Sequence, residues 1–265
     1  MTRGACGWAT AEAEVIAFPS PADIAVAAAE RFVAAAAAAV AARGRFTVAL
    51  AGGSTPKALY ARLASPARAA RVDWTRVHVF WGDERCVPPE HPSSNYRMAR
   101  EALLDHVPIP AAQVHRLRGE DEPRTAAAAY EVELRAAFPE GASGFDLVFL
   151  GMGDNGHTAS LFPGLSAVHE SARWVVAESV AEVGMWRLTL TPAALNAAAA
   201  VVFLVAGRDK AAMLAQVLEG PCDIDRRPVQ VVAPVDGTVT WLIDTAAAAE
   251  LRPARPGSAG PSGDH

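Results

Sequence analysis

His157 stands in the run Gly151-Met152-Gly153-Asp154-Asn155-Gly156-His157-Thr158, directly after the apolar stretch Phe145–Leu150. Imidazole titrates near neutrality, so a histidine in a flexible, glycine-rich stretch suits general-base work. Of the seven histidines, His78 alternates within an apolar run, and His106, His115 and His169 lack a comparable setting. Those four read as structural or surface residues. Three other apolar stretches end in the same mixture of glycine with polar or charged residues. Phe46–Ala51 leads into Gly52-Gly53-Ser54-Thr55-Pro56, Val77–Trp81 into Gly82-Asp83-Glu84-Arg85, and Ala200–Val205 into Gly207-Arg208-Asp209-Lys210.

The first of these suits an anion. Gly52 and Gly53 let backbone N–H groups approach phosphate oxygens, and the start of a following helix adds favourable partial charge. The spacing is neither the dinucleotide G-x-G-x-x-G nor a P-loop. A tight turn capped by Ser54 or Thr55 reads the same residues without a ligand. Arg85 could bind an anionic or carbonyl oxygen with Asp83 fixing it, the alternative being a solvated charge cluster of little energetic weight. Lys210 and Arg187 could each hold a phosphate, one as a compact charge and one as a fork. Lys210 lies near a helix start, where a cation opposes the helix dipole, and that mismatch argues for an anionic ligand. Asp146 and Asp209 read as surface or loop-capping groups.

These loops need a scaffold, and the sequence predicts one. Ser20 is placed to cap a helix with Pro21 at its first position and Gly44 past its end. Phe46–Ala51, Val77–Trp81, Phe145–Leu150 and Ala200–Val205 read as buried strands. Helical patterns follow Gly53 to about Leu63 and run from Ser94 to Asp105. Strands alternating with helices predict an α/β fold: a single doubly wound, mainly parallel sheet with helices on both faces. Such sheets bind ligands beyond the carboxyl ends of their strands, so the four loops are expected to converge on one pocket. The alanine tracts 34–39, 126–129, 197–200 and 246–249 read as helix filler. With no repeat and no linker, one domain is expected over 14–250, between a flexible N-terminus (1–13) and a flexible tail (251–265) rich in Pro, Gly and Ser.

Composition narrows the classes. The 265 residues carry 24 Lys+Arg and 29 Asp+Glu, a net charge of −5, and 51% are hydrophobic. That much apolar content implies a packed core, and the mild acidity argues against a nucleic-acid partner. Cys6, Cys86 and Cys222 are too few and too scattered for a disulfide framework, and none belongs to a C-x-x-C pair, which argues against a zinc site of the usual kind. The longest apolar stretch, Phe32–Ala42, is too short to cross a bilayer, and no secretory signal is evident. A cytoplasmic protein without membrane association is the expectation.

Several segments together resemble the 6-phosphogluconolactonases, within the glucosamine-6-phosphate isomerase/deaminase-like superfamily. They are residues 51–56, 81–88 with His91 and Ser94–Ala99, then 151–163, then Arg187 to Thr191, and Gly207 to Lys210. The glycine loop is shared across the superfamily, whereas the second and third segments are specific to the lactonases. The resemblance covers roughly residues 15–245 and implies a Rossmann-like sheet of the sugar-phosphate isomerase/deaminase type. It implies hydrolysis of 6-phospho-D-glucono-1,5-lactone, a small-molecule sugar-phosphate lactone, with no organic cofactor and no required metal, by a monomer or small homo-oligomer. Carried over by position, His157 becomes the general base and Arg85 a holder of substrate or oxyanion. Gly52, Gly53, Ser54, Thr55, Arg187, Lys210, His91 and Asn95 surround the substrate and its phosphate, and Asp83 supports Arg85. One position departs from the lactonase pattern, which places a carboxylate where Asn155 stands. Two rivals remain: an aminosugar-phosphate isomerase/deaminase using Asp83 or Glu84 as base, and a non-catalytic sugar-phosphate-binding module.

Overall fold

The computed structural model describes residues 13–138 and 144–252; both proposed flexible termini lie almost entirely outside these. In chain order the strands are β1 (Glu14–Phe18), β2 (Phe46–Leu50), β3 (Val77–Trp81), β4 (Asp83–Arg85), β5 (Leu147–Leu150), β6 (Val175–Val180), β7 (Met185–Leu190), β8 (Ala200–Val205) and β9 (Thr238–Asp244). The helices are α1 (Pro21–Arg43), α2 (Ser54–Leu63), α3 (Pro66–Ala69), α4 (Asn95–Ala102), α5 (Pro123–Ala137), α6 (Pro192–Leu195) and α7 (Ala211–Glu219).

Helix α1 starts and stops where its punctuation requires. Ser20 accepts the N–H of Asp23, and Gly44 at φ 74 donates its N–H to Val40 O. By length and composition α1 could cross a bilayer, which the stretch Phe32–Ala42 understated. It packs on β2, β8 and β9, and Ile24, Ala25, Ala28, Ala29 and Phe32 are fully buried. Alanine has no bulk beyond Cβ, so helix and sheet approach closely, and α1 serves as a core helix.

Six strands form the expected parallel sheet, in the order β1-β9-β8-β5-β2-β3. Every residue of β2 and β5 is buried, as a strand covered on both faces demands. After β2 the chain steps outward to β3 and then returns to the other side of β2 for β5. The strand order therefore reverses between β2 and β5, and a ligand crevice is expected at their carboxyl ends. Asp146 fixes this pair: its Oδ2 accepts the Thr47 N–H at 2.7 Å and the Thr47 hydroxyl at 2.9 Å, and its other oxygen pairs with Arg43. It is a half-buried clamp rather than a surface or loop-capping group.

A second, three-stranded antiparallel sheet, β4-β7-β6, was not anticipated. Gly82 joins the two sheets, donating to Leu50 O at 2.9 Å and accepting from Leu190 N at 2.8 Å. Other boundaries also shift. Strand β5 begins at Leu147, and α4 gives way after Ala102 to a single 3-10 turn, Leu104–His106. Alanines 197–200 form a turn entering β8 and 246–249 lie at a 3-10 turn, so neither tract is helix filler. Cys86 is a free thiol that burial pushes up to about 11.

Candidate active site

A cavity of about 280 Å³ opens at the crevice beside β2 and β5, lined by Gly52, Gly53, Asp83, Arg85, Asn95, the 151–154 and 157–159 segments and Lys210. All four strand-end loops thus contribute to one site. A larger groove of about 640 Å³ lies along β6, away from these loops. Its charged groups are mostly paired locally: Glu178 with Ser166, Glu170 with Arg173, and His169 with Asp225.

The loop that carries His157 is closed on itself. Gly153 N–H donates to His157 O at 2.8 Å, and the Thr158 hydroxyl donates to Gly151 O at 2.8 Å. A Cβ at Gly153 would sit 2.1 Å from His157 Nδ1, so only glycine lets the ring lie here. Gly156 adopts φ 81 and Ala159 adopts φ 46, a left-handed value that L side chains avoid. The His157 ring stacks on Phe162, with centroids 4.2 Å apart. Its Nδ1 lies 2.6 Å from Asn155 Oδ1. An amide oxygen only accepts, so Nδ1 carries the proton and Nε2 is left as the basic nitrogen. Burial holds the imidazole below the usual histidine range; Asp83 and Asp154 oppose that shift, Lys210 adds to it and Glu182 opposes it.

Strand β4 delivers the next group. Side chains alternate along a strand, and register sets Asp83 opposite Thr189 and Arg85 opposite Arg187 on one face. Asp83 is tied to Ser160 (2.6 Å) and to the Asn95 amide (3.1 Å). Arg85 is held instead by Ser93 O at 2.6 Å, so Asp83 does not fix Arg85 as expected from sequence. The Nε atoms of Arg85 and Arg187 are both buried without a hydrogen-bond partner. Burial and the neighbouring Arg85 push the Arg187 guanidinium below its usual range. Two guanidinium groups side by side repel, and an anion between them would offset this. Glu84 faces the other way. It accepts the N–H groups of Arg85, Asn95 and Tyr96 at 2.7–2.8 Å and the Ser94 hydroxyl at 3.0 Å, and burial raises its pKa. It caps α4 and is not positioned as a base in the cavity.

At the opposite side, Gly53 is the N-cap of α2 and Lys210 the N-cap of α7. Two helix N-termini therefore meet the cavity beside an ammonium group, a setting for phosphate. A Cβ at Gly52 would fall 2.0 Å from Asn95 Oδ1, so the glycine admits Asn95. Ser54 and Thr55 are the first residues of α2; neither caps the helix nor lines the cavity. Arg187 pairs with Arg85 across β4 and β7 and does not line the cavity. His91 is exposed and outside the site, its Nδ1 accepting the Ser93 N–H at 3.1 Å. Its loop contributes Ser93, which steadies Arg85. Ser160, within the 151–163 segment, was missed as the partner of Asp83. No group of three or more His, Cys, Asp or Glu suited to a metal occurs among the described residues.

A family model described as glucosamine-6-phosphate isomerases/6-phosphogluconolactonase matches residues 19–241. The chain belongs to this family. Within the glucosamine-6-phosphate isomerase/6-phosphogluconolactonase family, a 6-phosphogluconolactonase of Nostoc sp. is 45% identical over 213 residues, 79% of this chain and 86% of that protein. The solved structure of 6-phosphogluconolactonase from Trypanosoma brucei has a TM-score of 0.80 at 30% identity, over 91% of this chain and 100% of that one. A monomeric glucosamine-6-phosphate deaminase reaches a TM-score of 0.77 at 18% identity, over 89% and 99%. That last likeness shows the fold alone.

Proposed function

We propose that the chain hydrolyses 6-phospho-D-glucono-1,5-lactone to 6-phospho-D-gluconate, in the oxidative pentose phosphate pathway, with His157 as general base. The observation that carries this reading is the His157–Asn155 contact of 2.6 Å, which presents a basic Nε2 in a cavity whose lining includes Arg85 and Lys210. Nε2 takes a proton from water as the oxygen attacks the lactone carbonyl carbon. The carbonyl electrons move onto its oxygen, and Arg85 is the nearby cation suited to that oxyanion. Collapse breaks the ring C–O bond, and the imidazolium returns the proton to the departing ring oxygen. A lactone is an activated ester, so one base and a few donors suffice, and the chemistry calls on no organic cofactor. The phosphate is read as lying between the tips of α2 and α7, with Lys210, where its binding orients the ring. On this reading the protein works in the cytoplasm as a monomer or small homo-oligomer.

The test is hydrolysis of freshly generated lactone, coupled to NADPH formation by 6-phosphogluconate dehydrogenase, with His157→Ala beside the wild type. Wild type should exceed the spontaneous rate and the variant should fall back to it. A wild-type rate equal to background would overturn the proposal.

A further inference from the structure

Asn155 uses its amide oxygen twice, toward the His157 ring Nδ1 at 2.6 Å and toward the His157 backbone N–H at 3.1 Å. Both partners are donors, so the two ends of this amide are not interchangeable: turned over, its NH₂ would face two N–H groups. The amide nitrogen must therefore point away from the ring. There it meets the carboxylate of Glu182, 3.2 Å from Oε2 and 3.4 Å from Oε1. Glu182 lies on the turn Ala181–Val183 between β6 and β7, a turn closed by Gly184 at φ 60, whose N–H donates to Ala181 O.

We infer that Glu182 is a positioning residue for the hydrolysis: through the Asn155 amide it locks the His157 ring and supplies the negative charge that Asn155 lacks. This rests on the reading of His157 as base. An asparagine can orient an imidazole but brings no charge to the imidazolium formed during catalysis. A carboxylate behind the amide polarises both hydrogen bonds in series and returns part of that stabilisation. The other charged groups acting on the ring are engaged differently. Asp83 on β4 binds Ser160 and Asn95, Asp154 accepts the Asn155 backbone N–H at 3.0 Å, and Lys210 at the start of α7 opposes the imidazolium. Glu182 is the group that grips the amide which grips the ring.

The experiment compares Glu182→Gln, which keeps an acceptor but removes the charge, with Glu182→Ala, which removes both. Each is made in the wild type and in Asn155→Asp. In the wild-type background kcat should fall about fivefold for Glu182→Gln, as the charge behind the amide is lost, and further for Glu182→Ala, which loses the hydrogen bond as well. KM should stay level, and the acid limb of the kcat profile should move to lower pH. In the Asn155→Asp background the loss should disappear, because the new carboxylate contacts the ring directly and Glu182 only repels it. Equal losses in both backgrounds, or an unmoved acid limb, would overturn the inference. NMR titration of the His157 ring nitrogens supplies a readout independent of turnover, with a lower midpoint expected in Glu182→Gln. If the wild type fails to hydrolyse lactone, the base reading falls, while the NMR titration still decides whether Glu182 acts on the ring; an unchanged midpoint refutes it.

Discussion

Burial sets the working range of His157. The half-buried imidazole is held below the ordinary value of 6.5, with Lys210 pushing the same way. A general base works in its neutral form, so activity is lost as pH falls through the folded pKa and is level above it. The corrected lactonase rate should therefore rise through a pKa below 6.5 and plateau by neutral pH. Lys210→Met removes a cation that disfavours the imidazolium, so the acid limb should move to higher pH, and KM should rise as the phosphate loses a partner. A profile of kcat/KM over about pH 5 to 8 checks both, and a limb that moves down would contradict the assigned geometry. His157 was legible in the sequence because a short glycine-rich run encloses it. Glu182 was not: it sits 27 residues from Asn155 on an exposed turn, with no local signal of its target.

Strand β4 is where local pattern fails and tertiary structure decides. Asp83-Glu84-Arg85 is short and fully charged, so it gives no apolar signal, yet pairing with β7 makes it a strand whose alternation divides its duties. Asp83 and Arg85 serve the cavity, and Glu84 serves helix α4. Glu84→Gln would leave the N–H groups of Arg85, Asn95 and Tyr96 sharing a neutral acceptor. One of its two acceptor oxygens becomes an NH₂ facing buried donors, while loss of the charge itself costs little, since burial already disfavours it. Stability should drop by about 1–3 kcal/mol, measured by urea unfolding, the cost of a buried donor left unsatisfied. An isomerase using Glu84 as base predicts the reverse, a chemical defect in a fully stable protein. The main sheet, by contrast, could be read ahead because β2, β3, β5 and β8 are apolar runs bounded by glycine or polar residues. The glycine loop after β2 was half legible: its glycines were found, but Ser54 and Thr55 took no capping role because Gly53 itself occupies the N-cap.

Across the molecule, the site is assembled from distant parts. His157 comes from the loop after β5, Arg85 from the small sheet, and Lys210 from the start of α7. Lys210 depends in turn on β9, the strand next to the β1 edge: the N–H of Gly207 binds the Asp244 carboxylate at the end of β9, at 3.1 and 3.2 Å. Asp244→Ala should loosen this corner, raising KM several-fold with kcat within about twofold, alongside a loss of about 1–2 kcal/mol in unfolding free energy. A large kcat defect at unchanged KM would show that Asp244 reaches the chemistry by another route. The pairing of β1 with β9, Glu14–Phe18 against Thr240–Asp244, bears on how the protein is made. On a ribosome adding about 5–20 residues per second, β1 emerges on the order of ten seconds or more before its partner exists. Helix α1 waits as well, since β8 and β9 form part of the surface it packs on. A nascent chain therefore carries an apolar helix of bilayer-spanning length whose cover begins with β2 and α2 and is completed only by the last strand.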